Sequence, residues 1–204
     1  MCFSLHIPIE VQQMIIDEHQ DDIVSLRKCS LVCKFWLCRC RLYLFSCIRI
    51  EGREDLKSFY MVLEADPSLS SYVKGVRLSP ELDAVRRGAS GFMEMVPVKL
   101  FQQLSHLRSW QLHNPRGHDK TCPISFSPLT IQCIRSVSHR IVELRVTGVI
   151  FSTCDELARY IRAFTGLQDL HCKDVMFSNY GSSVAPGNPL QFLNVSVSTF
   201  FSAA

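Results

Sequence analysis

The stretch Leu107-Arg108-Ser109-Trp110-Gln111-Leu112 carries apolar side chains at its first, fourth and sixth positions. The same spacing returns at intervals of 23 to 34 residues, and its alternating second half is typical of a strand that is buried on one side. Self-similarity at such a period indicates a repeat array, in which each unit covers the apolar face of its neighbour. The six copies begin at Phe45, Val73, Leu107, Ile141, Leu167 and Leu190.

Between the copies, apolar residues three and four positions apart predict helices with their own start and stop signals. Asp66-Pro67 ends the first of these helices, and Thr153 with Glu156 forms a capping-box pair at the start of the last. The predicted apolar stripes are Leu56, Phe59, Tyr60 and Leu63; Leu100, Phe101 and Leu104 after Pro97; Ile131, Ile134 and Val137 after Ser127-Pro128; and Leu157, Ile161 and Phe164 before Gly166.

Strands that alternate with helices at this period are typical of a leucine-rich solenoid, an α/β fold whose short strands form a parallel sheet. We therefore predict an irregular leucine-rich repeat array over residues 48–204. No asparagine ladder is expected, because Val149 and Val175 stand where the motif usually has asparagine. The last copy begins at Leu190, so we expect the array to be truncated before a capping unit. The polar stretches 79–91 and 114–126 are expected to be excursions from the array.

The two outer positions between the apolar residues of each copy are predicted to point away from the core. This outer face is our candidate for binding a protein substrate. Its residues are Lys74, Arg77, Arg108, Gln111, Arg145, Gln168 and His171.

The first 47 residues have helical spacing instead. Val11, Met14 and Ile15 share one face of a first helix, and Leu26, Cys29 and Cys33 predict a second helix that continues to Trp36. Residues 37–45 predict a third. A module of this size is too small to bury all its apolar side chains alone, so its remaining apolar face is predicted to need a partner.

Two signatures in this module, Ile7-Pro8-Ile9-Glu10-Val11 and Leu31-Val32-Cys33-Lys34-Phe35-Trp36, resemble the opening and closing motifs of the F-box. The resemblance covers about 40 residues, and the chain looks like the fungal, basidiomycete-type F-box proteins with a degenerate leucine-rich tail. It implies that the module binds the Skp-type adaptor of a cullin-RING ubiquitin ligase. The adaptor-binding residues implied are Ile7, Pro8, Glu10, Val11, Ile15, Leu26, Val32, Cys33 and Trp36.

The function expected from this resemblance is that of a substrate-receptor subunit of an SCF-type ubiquitin ligase, which binds the adaptor through residues 1–47 and a protein substrate through the repeats. The alternative is a leucine-rich interaction scaffold that is not coupled to ubiquitination. In either case other proteins are the partners, and we expect no catalytic residue, cofactor or metal in this chain.

Other classes have less support in the sequence. The net charge of +3 is small for a nucleic-acid-binding protein, and no apolar run reaches the length of a membrane span. Ten cysteines without a secretion signal favour the cytoplasm or the nucleus. A thiol or metal hydrolase built from the Cys and His residues is a third hypothesis, but Cys29, Cys33, Cys38 and Cys40 have the spacing of helix packing rather than of metal ligands.

Overall fold

The computed structural model describes residues 7–79, 96, 100–114, 124–178 and 193–198. The chain divides into two compact units, Met1–Cys47 and Ile48–Ala204. We call them the helical unit and the strand-helix unit. Together they give a mixed α/β protein.

The helical unit contains three short helices, which are α1 (Ile9–Glu18), α2 (Ile23–Cys29) and α3 (Lys34–Leu44). Pro8 precedes the first turn of α1, and the Asp22 carboxylate caps α2 by accepting hydrogen bonds from the backbone N–H groups of Val24 and Ser25. The predicted second helix is wrong in its extent. Residues 30–33 interrupt it, and Cys33 has an extended backbone, so Trp36 belongs to α3.

The core of the helical unit is small. It is formed by Ile16, Leu26 and Cys40, one residue from each helix, and partly buried side chains pack around it. These are Cys29, Trp36, Tyr43 and Leu44. In the described part of the unit, Ile16, Leu26 and Cys40 are the only hydrophobic side chains that are buried, so most of its other apolar side chains remain partly or largely exposed.

The strand-helix unit alternates short strands with helices along the chain. Its strands are β1 (Cys47–Ile50, which starts at the unit boundary), β2 (Gly75–Leu78), β3 (Ser109–His113), β4 (Glu143–Thr147), β5 (Ile150–Phe151), β6 (Asp169–Phe177) and β7 (Leu193–Ser198). Its helices are α4 (Arg53–Ala65), α5 (Pro128–Val137) and α6 (Cys154–Arg162), with short 3₁₀ turns at Pro67–Ser71 and Ser138–Arg140. Residues 100–103 are also helical.

The predicted alignment of the strands is confirmed. The sheet order is β1-β2-β3-β4-β6, and β2, β3, β4 and β6 pair in parallel. The register places Val76 beside Trp110, Trp110 beside Leu144, and Leu144 beside Leu170. Corresponding positions of four successive sequence copies therefore lie in one row across the sheet.

The predicted helical stripes also face the core. Phe59, Leu63, Ile134, Leu157 and Phe164 are buried. At the centre, the indole N–H of the fully buried Trp110 donates to the Tyr160 hydroxyl at 2.9 Å, and Phe126 stacks on the Tyr160 ring. A strand of one copy is thus packed against the helix that follows a later copy.

Two successive turns of the chain bend at a corner, at equivalent positions. Gly148, directly after β4, has a positive φ of 67°, and Asp174, within β6, has a φ of 53°. The side-chain amide of Asn114 donates to the Gly148 carbonyl at 3.0 Å. Beyond the corner a second parallel ladder joins Ile150–Phe151 to Met176–Phe177, with Ile124 bridging to Phe151.

Two expectations for this unit need correction. The sixth copy was predicted to add another parallel strand, but β7 pairs antiparallel with β6, with Val195 opposite Cys172. Glu156 does not close the predicted reciprocal capping box. The Thr153 hydroxyl caps the helix, whereas the Glu156 carboxylate accepts from the backbone N–H of Ser152 at 3.1 Å and from the Ser125 hydroxyl. The predicted excursions fall largely on residues 80–91 and 115–123, outside the described residues.

Candidate functional site: the apolar surface of the helical unit

Helix α1 carries polar side chains on the side that packs against α3. The Trp36 indole N–H donates to Gln12 Oε1 at 2.7 Å, and the Arg39 guanidinium binds the Asp17 carboxylate at 2.8 and 2.6 Å. Ile16, between them, is the one buried residue of α1. The contact between α1 and α3 is therefore a set of hydrogen bonds around a single apolar side chain, which we call the polar clasp.

The Tyr43 hydroxyl also belongs to the polar clasp, because it donates to Asp17 Oδ1 at 2.8 Å. The hydrogen bond from Arg39, followed by that from Tyr43, lowers the pKa of Asp17 although partial burial opposes it. The same pairing raises the pKa of Arg39. Asp17 is thus held as a carboxylate where α1 ends.

Another side of α1 carries exposed apolar side chains. Successive residues of a helix turn by about 100°, so Val11, Met14 and Ile15 fall within one arc of about 100°, whose centre is more than about 100° around the helix from Gln12 and Ile16. These three side chains are 44 %, 70 % and 37 % exposed. We call them the outer stripe. A helix that turns its polar side inward and its apolar side outward is typical of a surface that another molecule covers.

Further apolar side chains are exposed elsewhere in the unit. Ile7 and Ile9 lie at the start of α1, Ile23 and Val24 form the first turn of α2, and Leu31 and Val32 lie between α2 and α3. Nine of the twelve exposed large apolar side chains in the described residues belong to the helical unit, which contributes little more than a quarter of those residues. Chance scatter over the surface does not account for this concentration.

The structure separates the predicted adaptor-binding residues into two groups. Ile7, Pro8, Glu10, Val11, Ile15, Val32 and Cys33 are exposed. Leu26 is only 1 % exposed and lies in the core, so it supports the fold and is not available to a partner. Trp36 is half-buried, packs against that core and belongs to the polar clasp.

Sequence reasoning left out several exposed residues of this surface. Met14 lies on the predicted apolar face of α1, and Ile9 and Leu31 lie within the two signatures, but none of the three is among the predicted site residues. Ile23 and Val24 are exposed as well, although neither is among the residues named from the sequence. The available signal was an apolar pair immediately after the capping residue Asp22. An apolar pair at this position is equally consistent with a place in the core. Only the structure shows that Ile23 and Val24 are exposed to solvent.

The predicted outer face of the strand-helix unit has accessible side chains. Lys74, Arg77, Arg108, Arg145 and Gln168 are exposed, and Gln111 and His171 are partly buried. The parallel register places Arg77 beside Gln111, Gln111 beside Arg145, and Arg145 beside His171. Four of the seven predicted residues therefore form one row across β2, β3, β4 and β6.

Charges on this face are partly neutralised. Arg145 forms an ion pair with Glu143, and Arg49 forms one with Glu51. Burial alone would raise the pKa of Glu143, but hydrogen bonds from Ser109 and Arg145 outweigh it and hold the pKa below its usual value. Glu143 is therefore held as a carboxylate and contributes a negative charge to this face.

In the part of the chain that the structure describes, no group of three or more His, Cys, Asp or Glu side chains is arranged to hold a metal ion. Within the same residues, no helix combines the length and apolar character that crossing a membrane requires. Comparison of the chain with protein-family models, with curated proteins and with solved structures found no match.

Proposed function

We propose that the chain is a substrate-receptor subunit of an SCF-type cullin-RING ubiquitin ligase. In this proposal the helical unit is an F-box-like module that binds a Skp-type adaptor, and the strand-helix unit is an irregular leucine-rich repeat array that holds a protein substrate. Such a subunit acts in the cytoplasm or the nucleus. The ligase chemistry is performed by other subunits, so this chain needs no catalytic group.

The observation that carries the proposal is the outward-facing outer stripe. Val11 and Ile15 are positions that the F-box resemblance assigns to the adaptor, and both are exposed on a helix whose polar side is turned inward. Val32 and Cys33, from the closing signature, are exposed as well. Burying a surface of this kind against a partner is favourable by about 25 cal/mol per Å² of apolar area.

Two features of the strand-helix unit support the repeat array. Corresponding apolar positions of four copies stand in one row, and a second parallel ladder runs beyond the corner. The Asn114 amide also bonds to the Gly148 carbonyl of the next turn, close to where a repeat array usually has its asparagine.

The alternative, a leucine-rich scaffold without a link to ubiquitin, is favoured by one observation. The helical unit has its own closed core of Ile16, Leu26 and Cys40, and the polar clasp holds α1 in place. A unit with these features can serve as a structural element at one end of an array. The two functions differ in whether the outer stripe is needed for binding.

The experiment is a pull-down of a purified Skp-type adaptor with the full chain and two variants. In the first, Val11→Asp is combined with Ile15→Asp, which places two charges in the outer stripe. In the second, Leu129→Asp places a charge on α5 at an apolar residue that is 74 % exposed. Circular dichroism checks that both variants keep their helices.

We expect the outer-stripe variant to bind the adaptor at least tenfold more weakly, because an unpaired carboxylate buried in an apolar interface costs several kcal/mol. The Leu129→Asp variant should bind as the unchanged chain does, and a chain lacking residues 1–47 should not bind. If the unchanged chain does not retain the adaptor, or all the proteins retain it equally, the receptor function is wrong.

A further inference from the structure

Three exposed cations, Lys74, Arg77 and Arg108, lie within or directly before two neighbouring parallel strands. Arg77 lies within β2, Lys74 directly precedes that strand, and Arg108 directly precedes β3. The backbone N–H of Arg108 donates to the Lys74 carbonyl at 2.8 Å, which fixes the two residues side by side. All three side chains are exposed, and we call them the basic strip.

The positive charge of the basic strip is not neutralised within the described residues. Arg49 and Arg145, at either side, each form an ion pair with a glutamate, whereas no described carboxylate lies within ion-pair distance of the three cations of the strip. Arg77 Nε donates to Gln111 Oε1 at 2.9 Å. That acceptor is neutral, so it orients the guanidinium without cancelling its charge.

The charge of Arg77 also acts on a neighbouring histidine. His113 is the last residue of β3, and partial burial, followed by the charges of Arg77 and Arg49, lowers its pKa. The imidazole is therefore disfavoured as a further cation here. An anion that approaches the strip is attracted by Arg77, whose guanidinium is held in place by Gln111.

We propose that the basic strip binds an acidic segment of a partner protein, with Arg77 pairing one of its carboxylates. The three cations lie within or directly before two neighbouring strands, so a segment with two or three closely spaced carboxylates suffices. The inference rests on the proposed function in one respect: if that function is correct, the partner protein is the substrate.

Charges on the same face favour a short acidic peptide over a nucleic acid. Glu143 lies on β4, and Asp169 lies beside it on β6. A continuous polyanion that crossed the sheet would meet both carboxylates, which repel phosphate groups. A protein segment can carry its acidic residues only where the strip is, so it avoids this repulsion.

The test measures binding of a fluorescein-labelled octapeptide of alternating Glu and Ser to the full chain by fluorescence anisotropy at low salt. The control peptide has Gln in place of Glu. Three proteins are compared: the unchanged chain, the Arg77→Glu variant, and the Arg159→Glu variant, which makes the same charge change at an exposed position of α6. Circular dichroism confirms that the variants are folded.

We expect the Glu peptide to bind the unchanged chain at least tenfold more tightly than the Gln peptide. Arg77→Glu should weaken the binding by at least tenfold, Arg159→Glu by less than threefold, and added salt should weaken it further. The inference is overturned if the Glu peptide does not bind, if the two variants lose equal affinity, or if a single-stranded oligonucleotide competes for Arg77 more strongly than the peptide does.

Adaptor binding by the same Arg77→Glu protein separates this inference from the proposed function. The variant should retain the adaptor, because the outer stripe is unchanged. A chain that binds the peptide through Arg77 but does not bind the adaptor contradicts the receptor function alone. A chain that binds the adaptor but not the peptide contradicts only the acidic-segment inference.

Discussion

The two units of the molecule bury their apolar side chains to very different extents. In the described part of the strand-helix unit, thirty hydrophobic residues are buried and three large apolar side chains are exposed. In the helical unit the corresponding numbers are three and nine. Among the described residues, the strand-helix unit therefore buries most of its large apolar side chains within itself, whereas the helical unit combines a small core with hydrogen bonds and leaves most of its large apolar side chains exposed.

In the strand-helix unit, we expect the largest loss of stability from a mutation at a site where two backbone segments pack closely together. A Cβ on Gly166 would lie 2.1 Å from the His139 carbonyl oxygen, whereas a Cβ on Gly52 would meet nothing within 4 Å. We expect Gly166→Ala to lower the free energy of unfolding by about 2 kcal/mol or more, because the backbone must move apart. Urea unfolding measures it.

The control for that prediction is Gly52→Ala, which has the same chemistry in an open position. Gly52 precedes the first turn of α4, where alanine is a somewhat poorer residue than glycine, so a loss below about 1 kcal/mol is expected. Equal losses for the two variants would show that the turn at Gly166 is not closely packed.

The polar clasp is expected to have a smaller effect. Asp17 and Arg39 are each about one-third exposed, so Asp17→Asn should destabilise the helical unit by about 0.2–1 kcal/mol near neutral pH. Trp36 fluorescence in a Trp110→Phe background reports on this unit alone, because the chain has two tryptophans and they lie in different units.

The contribution of Asp17 should also depend on pH. Its pKa is lowered in the folded protein, so its stabilisation is complete above the unfolded pKa of about 4 and is lost as the pH falls through the folded pKa. The difference between the unchanged chain and Asp17→Asn should therefore shrink as the pH falls below about 4. A difference that stays constant down to the acid transition would mean that the carboxylate is not paired in solution.

The outer stripe should have the smallest effect on stability. Met14 is 70 % exposed, so Met14→Gln should change the free energy of unfolding by less than about 0.5 kcal/mol. Replacing the buried Ile16 of the same helix with Ala should cost about 2 kcal/mol or more. If Met14→Gln destabilises the unit as strongly as Ile16→Ala, the outer stripe packs within the protein and the contrast between the units fails.

The sequence predicts the sheet well because its signal is local and repeated. Alternating apolar residues identify the strands, and their recurrence brings Val76, Trp110, Leu144 and Leu170 into one row. The direction of β7 could not be predicted, since an alternating pattern is the same in parallel and antiparallel strands.

The helical unit was predicted less completely for a different reason. The pattern of α1 identifies an apolar stripe, but it does not say whether that stripe faces inward or outward. The direction is determined by Gln12 and Asp17 pairing with Trp36 and Arg39, which lie 22 to 24 residues further along the chain. The periodicity from Leu26 to Trp36 likewise predicted one continuous helix, because helical spacing happens to persist across residues 30–33.

The polar clasp has a consequence for the rate and strength of association. Since α1 is already anchored by its hydrogen bonds to α3, a molecule that covers Val11, Met14 and Ile15 meets a preformed ridge. When a flexible segment becomes ordered on binding, the entropy it loses reduces the free energy of association. Helix α1 is already ordered in the folded protein, so this cost does not arise on binding. Loosening the anchor should therefore weaken association even though the variant leaves every contacting side chain unchanged.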